Sequence, residues 1–279
     1  MRYRENLKKA TSLCFHSRFD REELAAIKNA GIEAVELSFQ FDKSMNEFDF
    51  PERSEEYRIM AEEVGIELWS LHLPFGAALD ISSKEDYLRA IAYYTNRKLI
   101  EAGAKMGVKV IVLHPSSEPI SDSIRPDRLK NSREGIIRLR EICDRFGLKL
   151  AVENLPRTCL CNTSREMIEL LSGTGAGIVF DTNHSLAEDN VEFLSALVDS
   201  GIPIYSLHIS DYDFVDERHR LPGDGINDWD GIFRELERAG YTGPMMYEVP
   251  SKPKERDEIS YADISANMTA LQKGKIQKI

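Results

Sequence analysis

Residues 146–154 read FGLKLAVEN, and three structural events are compressed into this stretch. Gly147 follows an amphipathic charged segment and suits the left-handed position just past a helix end. The β-like run LAVEN then begins at Leu150 and ends around the carboxylate of Glu153. The same punctuation recurs as AGI at 30–32, VGIEL at 64–68, MGVKV at 106–110 and SGIPI at 200–204. Runs of strand character begin at 11 (TSLCF), 34 (AVELS), 68 (LWSLHL), 110 (VIVLH), 150 (LAVEN), 177 (GIVFD), 204 (IYSLH) and 245 (MMYEV), eight in all. Between them, segments such as 20–30, 84–106 and 126–146 carry apolar residues at three- and four-residue spacing, as surface helices do. Strand followed by helix, repeated eight times, predicts an α/β fold in the form of one (β/α)8 TIM barrel over residues 1–279. No Pro/Ser/Gly-rich linker or shift in composition divides the chain, which favours the barrel over a doubly wound sheet with an appendage. From Ser251, the stretch SKPKERDE predicts a polar loop leading to a last helix that closes the barrel.

The bulk composition agrees with a globular protein able to bury a large core: 279 residues, 42% hydrophobic and 30% charged. Nothing approaches the length of apolar run that spans a membrane, and the first residues, MRYRENLKKA, are charged with no apolar segment behind them. A cytoplasmic location without membrane association is therefore the expectation. Cys14, Cys143, Cys159 and Cys161 form no CxxC pair and are read as free thiols, with CLC at 159–161 a weaker candidate for a soft metal ligand. A formal net charge of −11 repels polyanions, so no nucleic-acid partner is expected.

In such a barrel the C-terminal ends of the strands form one rim, where chemistry collects. His16 follows strand one, Glu36 lies late in strand two, His72 ends strand three and His114 strand four. Glu153, Asp181, His208 and Glu248 end strands five to eight, and His184 and His219 fall in the loops just beyond, so every histidine maps to one face. His16 and Glu36 are read equally well as structural groups. The last four strand ends behave differently. Three carboxylates and an imidazole converging on one mouth would repel and desolvate each other unless a cation neutralises them. Glu153, Asp181, His208 and Glu248 are thus expected to hold one divalent metal, and this mixture of oxygens with a single nitrogen suits Mn²⁺, Mg²⁺, Co²⁺ or Zn²⁺. In IVFDTNHS (178–185), Asp181 ends its strand as a ligand, and His184 beyond it is placed to meet substrate or a second ion.

The motifs SLHLP (70–74), VLHP (112–115), VENLP (152–156), FDTNHS (180–185), LHISD (207–211), RLPGDGINDW (220–229) and YEV (247–249) together resemble the xylose-isomerase-like barrel superfamily over nearly the whole chain. That superfamily includes sugar isomerases, ketose 3-epimerases, inositol-catabolism enzymes and the endonuclease IV group. Similarity to the epimerases implies that Glu153, Asp181, His208 and Glu248 hold one divalent ion and that Glu153 and Glu248 also move protons. It implies further that an arginine before the PG turn grips substrate, pointing to Arg220 with Arg218 as second choice. The endonuclease IV group is resembled at His72, His114, Glu153, Asp181, His184, His208 and Glu248, with Glu217 to His219 standing where its last zinc pair would fall. Glu in place of Asp at 217, a loop of different length and the net charge argue against that alternative.

The primary reading is a metal-dependent isomerase or epimerase of a small sugar, sugar phosphate or keto-polyol. The ion would stabilise an enediolate, with Glu153 and Glu248 as base and acid on its two sides. His72, His114, His184, His219, Arg220 and Trp229 are the expected substrate contacts. Trp229, Phe75 and Trp69 are candidates for an apolar wall, although plain packing is the favoured reading of those aromatics. A non-enzymatic sugar-binding barrel is the rival from another class, and the paired glutamates argue against it. No glycine-rich phosphate cradle stands out, and the sequence leaves homo-oligomerisation open.

Overall fold

A computed structural model describes residues 3–15, 19–38, 52–252 and 258–276. His16 and part of the SKPKERDE stretch lie outside the described residues. Eight strands and eight α-helices are found among the described residues: β1 Lys9–Ser12, α1 Arg21–Asn29, β2 Ala34–Ser38, α2 Ser54–Val64, β3 Glu67–His72, α3 Asp86–Met106, β4 Val110–Leu113, α4 Arg125–Arg145, β5 Lys149–Glu153, α5 Ser164–Leu171, β6 Gly177–Asp181, α6 Asn190–Ser200, β7 Ile204–His208, α7 Trp229–Arg238, β8 Met245–Tyr247 and α8 Tyr261–Gln272. Every strand pair is parallel, in the order β7-β6-β5-β4-β3-β2-β1-β8. Ile209, one residue beyond β7, closes the circle: its N–H donates to Met246 O at 2.8 Å and its carbonyl accepts from Glu248 N at 3.1 Å.

Local chemistry sets the boundaries. Asp20, Thr163, Asp189, Asp228 and Ser260 cap α1, α5, α6, α7 and α8 through side-chain oxygens that accept from free N–H groups of the first turn. Gly65, Gly107 and Gly201 end α2, α3 and α6 in the left-handed conformation, as the repeated Gly-strand pattern predicts. Strand β1 begins two residues earlier than TSLCF suggests and stops at Ser12. There the Ser12 hydroxyl accepts from Cys14 N at 3.2 Å and turns the chain out of the sheet.

Strand alternation places the site. Side chains two residues apart face the same way, so the inward residues form stacked layers. The lower inward positions are apolar: Ala10, Ala34, Val110, Val112, Ala151, Val179 and Met246, with Trp69 and Tyr205 against them. Advancing two positions from Ala10, Ala34, Val112, Ala151, Val179 and Met246 gives Ser12, Glu36, His114, Glu153, Asp181 and Glu248. The barrel thus carries a greasy plug with a polar layer directly on top of it. The main hydrophobic cluster lies outside this, between the sheet and the helices. No helix among the described residues is long and apolar enough to cross a membrane.

Candidate active site

Glu153 is the hub of the polar layer. Its Oε1 lies 2.9 Å from His208 Nδ1 and 3.4 Å from His184 Nδ1, while Oε2 lies 3.2 Å from both His72 Nε2 and His114 Nε2. His208 Nδ1 also stands 3.7 Å from Asp181 Oδ2 and 3.6 Å from Glu248 Oε2. One ligand atom from each of Glu153, Asp181, His208 and Glu248 falls within 4.8 Å of all the others, and all four residues are buried. Asp181 Oδ1 accepts from Asn183 N at 2.6 Å, yet its Oδ2 is buried without a hydrogen-bond partner. An orphaned buried carboxylate oxygen aimed at two further carboxylates and an imidazole nitrogen is the donor set that a hard divalent cation satisfies. The residues fit the ion.

The electrostatics express the same crowding. Burial alone would lower the His208 pKa, but the charges of Glu248, Glu153 and Glu36 outweigh it and hold the ring well above the ordinary imidazole range. Burial raises Glu248, and the nearby Asp181 and Glu153 charges add to it against the pull of His208, leaving its carboxyl at about 7. Glu153 is buried too, but His208 and His114 overcome that and hold it well below the carboxylate range. Burial pushes His114 down to about 4 despite Glu153, so this ring is a neutral hydrogen-bonding group at neutral pH.

Above the cluster opens a cavity of about 300 Å³, at the small end of the range for ligand sites. Glu153 and Glu248 reach its floor, whereas Asp181 and His208 are not among its lining residues. His72, His114, His184 and His219 line it, with Phe75 and Phe15 as apolar surfaces. Phe75 stacks on His114 with ring centroids 4.2 Å apart, and Phe15 meets His219 edge-on at 5.0 Å. His184 Nδ1 is held 3.0 Å from the Asn154 carbonyl, and its Nε2 points towards Glu217 at 3.8 Å.

Two expected substrate contacts are not among the described residues that line the cavity. Trp229 is 2% exposed and outside the cavity lining; its indole N–H donates to Asp211 at 3.2 Å. Arg220 pairs its backbone N–H and carbonyl with Asp211, and its guanidinium lies 3.7 Å from Asp213, also outside the lining. The motif RLPGDGINDW wraps around Asp211, whose carboxylate accepts from the backbone N–H groups of Tyr212, Gly223 and Asn227 as well. Gly225 permits the tight wrap, since a Cβ there would lie 2.3 Å from Tyr212 O and 2.4 Å from Asp211 Oδ1. Trp69 belongs to the apolar plug beneath the site.

Among the described residues, the arginine that lines the cavity is Arg157, directly behind VENLP. It adopts a positive φ of 52°, rare for a residue with a Cβ, and pairs with Glu118 at 2.6 Å, Asp216 at 3.0 Å and Glu217 at 3.0 Å. The loop after β5 is thereby tied to the loops after β4 and β7. Glu118, Ser116, Ser117, Cys14 and Cys159 complete the polar wall. The proximity of Arg157 to the end of strand five is the one sequence signal that could have flagged it.

A family model described as xylose isomerase-like TIM barrel matches residues 24–268, and the chain belongs to that family. Among individual relatives, an uncharacterised protein of Methanocaldococcus jannaschii is 27% identical over 185 residues, 64% of this chain and 63% of that protein. The ketose 3-epimerase of Arthrobacter globiformis is 25% identical over 187 residues, 64% of this chain and 62% of the enzyme, so the match spans less than two thirds of either relative. An L-ribulose-5-phosphate 3-epimerase from Escherichia coli O157:H7 is 24% identical over 241 residues, 84% of this chain and 83% of that one. In three dimensions, a D-tagatose 3-epimerase-like protein superposes with a TM-score of 0.81 at 22% identity, covering 97% of this chain and 98% of the other. That superposition establishes the shared fold.

Proposed function

We propose that the protein is a divalent-metal-dependent epimerase or isomerase acting on an uncharged ketose, with Glu153 and Glu248 moving the proton. The observation that carries this reading is the division within the cluster: two carboxylates are both candidate ligands and cavity floor, while Asp181 and His208 stay beneath. When bound, a divalent ion in such a site polarises a substrate carbonyl as a Lewis acid. Glu153 and Glu248 then serve as base and acid from separate strands, reaching the substrate carbon from two directions, as inversion requires. Glu248, raised to about 7, is poised to exchange a proton at neutral pH, and Glu153 is held ionised by the imidazoles around it. His114, neutral and backed by Phe75, and His184, anchored on Asn154, orient substrate oxygens.

The relatives divide between a ketose and a ketose phosphate, and the cavity wall favours the former. Arg157, the one guanidinium among the described lining residues, is already shared by Glu118, Asp216 and Glu217. A phosphate dianion there would meet net negative charge. Steady-state kinetics of the Mn²⁺-loaded protein on D-fructose, L-ribulose and L-ribulose 5-phosphate test this. A neutral ketose should be preferred over the phosphate by at least about tenfold in kcat/KM, roughly 1.4 kcal/mol. Preference for the phosphate ester would contradict it.

A second reading has its own support. His184, Glu217 and His219 also bring ligand atoms within 4.8 Å of one another, and His72 and His114 both stand 3.2 Å from Glu153 Oε2. This is the distribution that the endonuclease IV resemblance calls for. The engagement of Glu217 by Arg157, the acidic wall and the net charge of −11 weigh against a phosphodiester substrate. Cleavage of abasic-site duplex DNA at physiological salt, with more than one metal ion per chain, would make this second reading the correct one.

A further inference from the structure

We infer that Glu36 is a positioning residue that selects which nitrogen of His208 binds metal and holds the ring in the plane the ion needs; this rests on the metal reading above. Glu36 is fully buried in the middle of β2, outside the cavity lining. Its Oε1 accepts from Ser12 Oγ at 2.9 Å and lies 2.9 Å from His208 Nε2, and its Oε2 accepts from Ser70 Oγ at 2.7 Å. Strand register builds the arrangement, because Ser12 pairs with Glu36 and Glu36 with Ser70 across β1, β2 and β3. The register shift between Val35 and Glu36 is what brings Ser70 opposite.

A carboxylate buried this deeply is costly without donors, and here it has three. The third donor is the informative one. Glu36 approaches His208 at Nε2, while Nδ1 faces Glu153, Glu248 and Asp181 at 2.9, 3.6 and 3.7 Å. An imidazole whose Nε2 proton is committed to a carboxylate presents the Nδ1 lone pair on the opposite side, more basic and fixed in orientation. Glu36 stands across the ring from the candidate centre and reaches it only through His208. Ser12 and Ser70 donate to its two oxygens, one each, which fixes the orientation of the carboxylate against His208.

The test uses full-length protein and Co²⁺ as probe, with affinity measured by chelator competition and geometry by the visible absorption of the bound ion. Glu36→Gln should weaken Co²⁺ binding by about 10- to 100-fold and change the cobalt spectrum. Glu36→Asp, restored towards wild type in spectrum if not in affinity, should show that the carboxylate is what matters. Nitrogen-15 NMR of the histidine rings in the wild-type protein loaded with Zn²⁺ gives an answer that does not depend on any variant folding: His208 should carry its proton on Nε2. Co²⁺ affinity within about twofold of wild type in Glu36→Gln with an unchanged spectrum, or a His208 proton on Nδ1, would overturn the inference. Failure of the wild-type protein to bind Co²⁺ would overturn the metal reading itself, and the two failures are therefore distinguishable.

Discussion

Replacing Asp181 by Asn separates a ligand from a structural carboxylate by the sign and size of two numbers. Asp181 is fully buried, and its Oδ1 accepts from Asn183 N at 2.6 Å, a bond that an Asn carbonyl preserves. Its Oδ2 has no hydrogen-bond partner, with His184 at 3.5 Å and His208 at 3.7 Å on one side and the Glu153 and Glu248 carboxylates on the other. An unsatisfied buried acceptor costs about 1–3 kcal/mol. An amide placed there can donate to those neighbouring carboxylates, which offsets the lost attraction to the two imidazoles. The Asn variant in EDTA is therefore expected to match wild type or exceed it by up to about 2 kcal/mol, whereas breaking a structural buried ion network costs about 3–5 kcal/mol. With metal the order reverses. At a free Mn²⁺ concentration a thousand times the wild-type Kd, wild type gains about 4.1 kcal/mol and a variant binding a hundredfold more weakly gains about 1.4 kcal/mol. Urea unfolding in EDTA and in Mn²⁺ measures both quantities. A variant clearly less stable than wild type in EDTA, or one stabilised equally by metal, would refute the reasoning.

Trp229→Phe should lower stability by about 1–3 kcal/mol, since it strips a donor from the buried Asp211 carboxylate, while KM for an active ketose stays within about twofold. A large KM increase in a variant of unchanged stability would instead make Trp229 a substrate wall. Gly225→Ala should lower the melting temperature and the activity together, because the new methyl collides with Tyr212 O and Asp211 Oδ1 and the loop that carries Glu217 and His219 must shift. Normal activity and melting temperature in that variant would show that the loop accommodates it without cost.

The barrel was legible because its signals are local and repeated. A glycine that ends a helix, an apolar run and a polar strand end recur at each unit, and the strand ends needed only the rule of alternation to become a polar layer. Loops obey no such period. Arg220 and Trp229 look like substrate contacts when RLPGDGINDW is read as a string, yet Arg220 pairs through its backbone with Asp211, the Trp229 indole donates to the Asp211 carboxylate, and neither residue is among the described lining of the cavity. Arg157 carries little more than its place behind strand five, for the converse reason: no local pattern announces its left-handed backbone, and its three acidic partners come from loops far from it in sequence. Glu36 stood open between structural and functional readings because its partners are set by cross-strand register, including a register shift that no local pattern announces.

The central claim is that Glu153 and Glu248, on the cavity floor, carry a proton between substrate and solvent. Turnover of an active ketose in D₂O, followed by NMR of the product, tests it most directly. One glutamate removes the substrate proton and the other delivers a proton it has drawn from solvent, so in D₂O deuterium should appear at the reacting carbon, and Glu153→Gln and Glu248→Gln reloaded with metal should each lose turnover by at least about a hundredfold. Product free of solvent deuterium, with near-normal rates in either metal-loaded variant, would contradict the account.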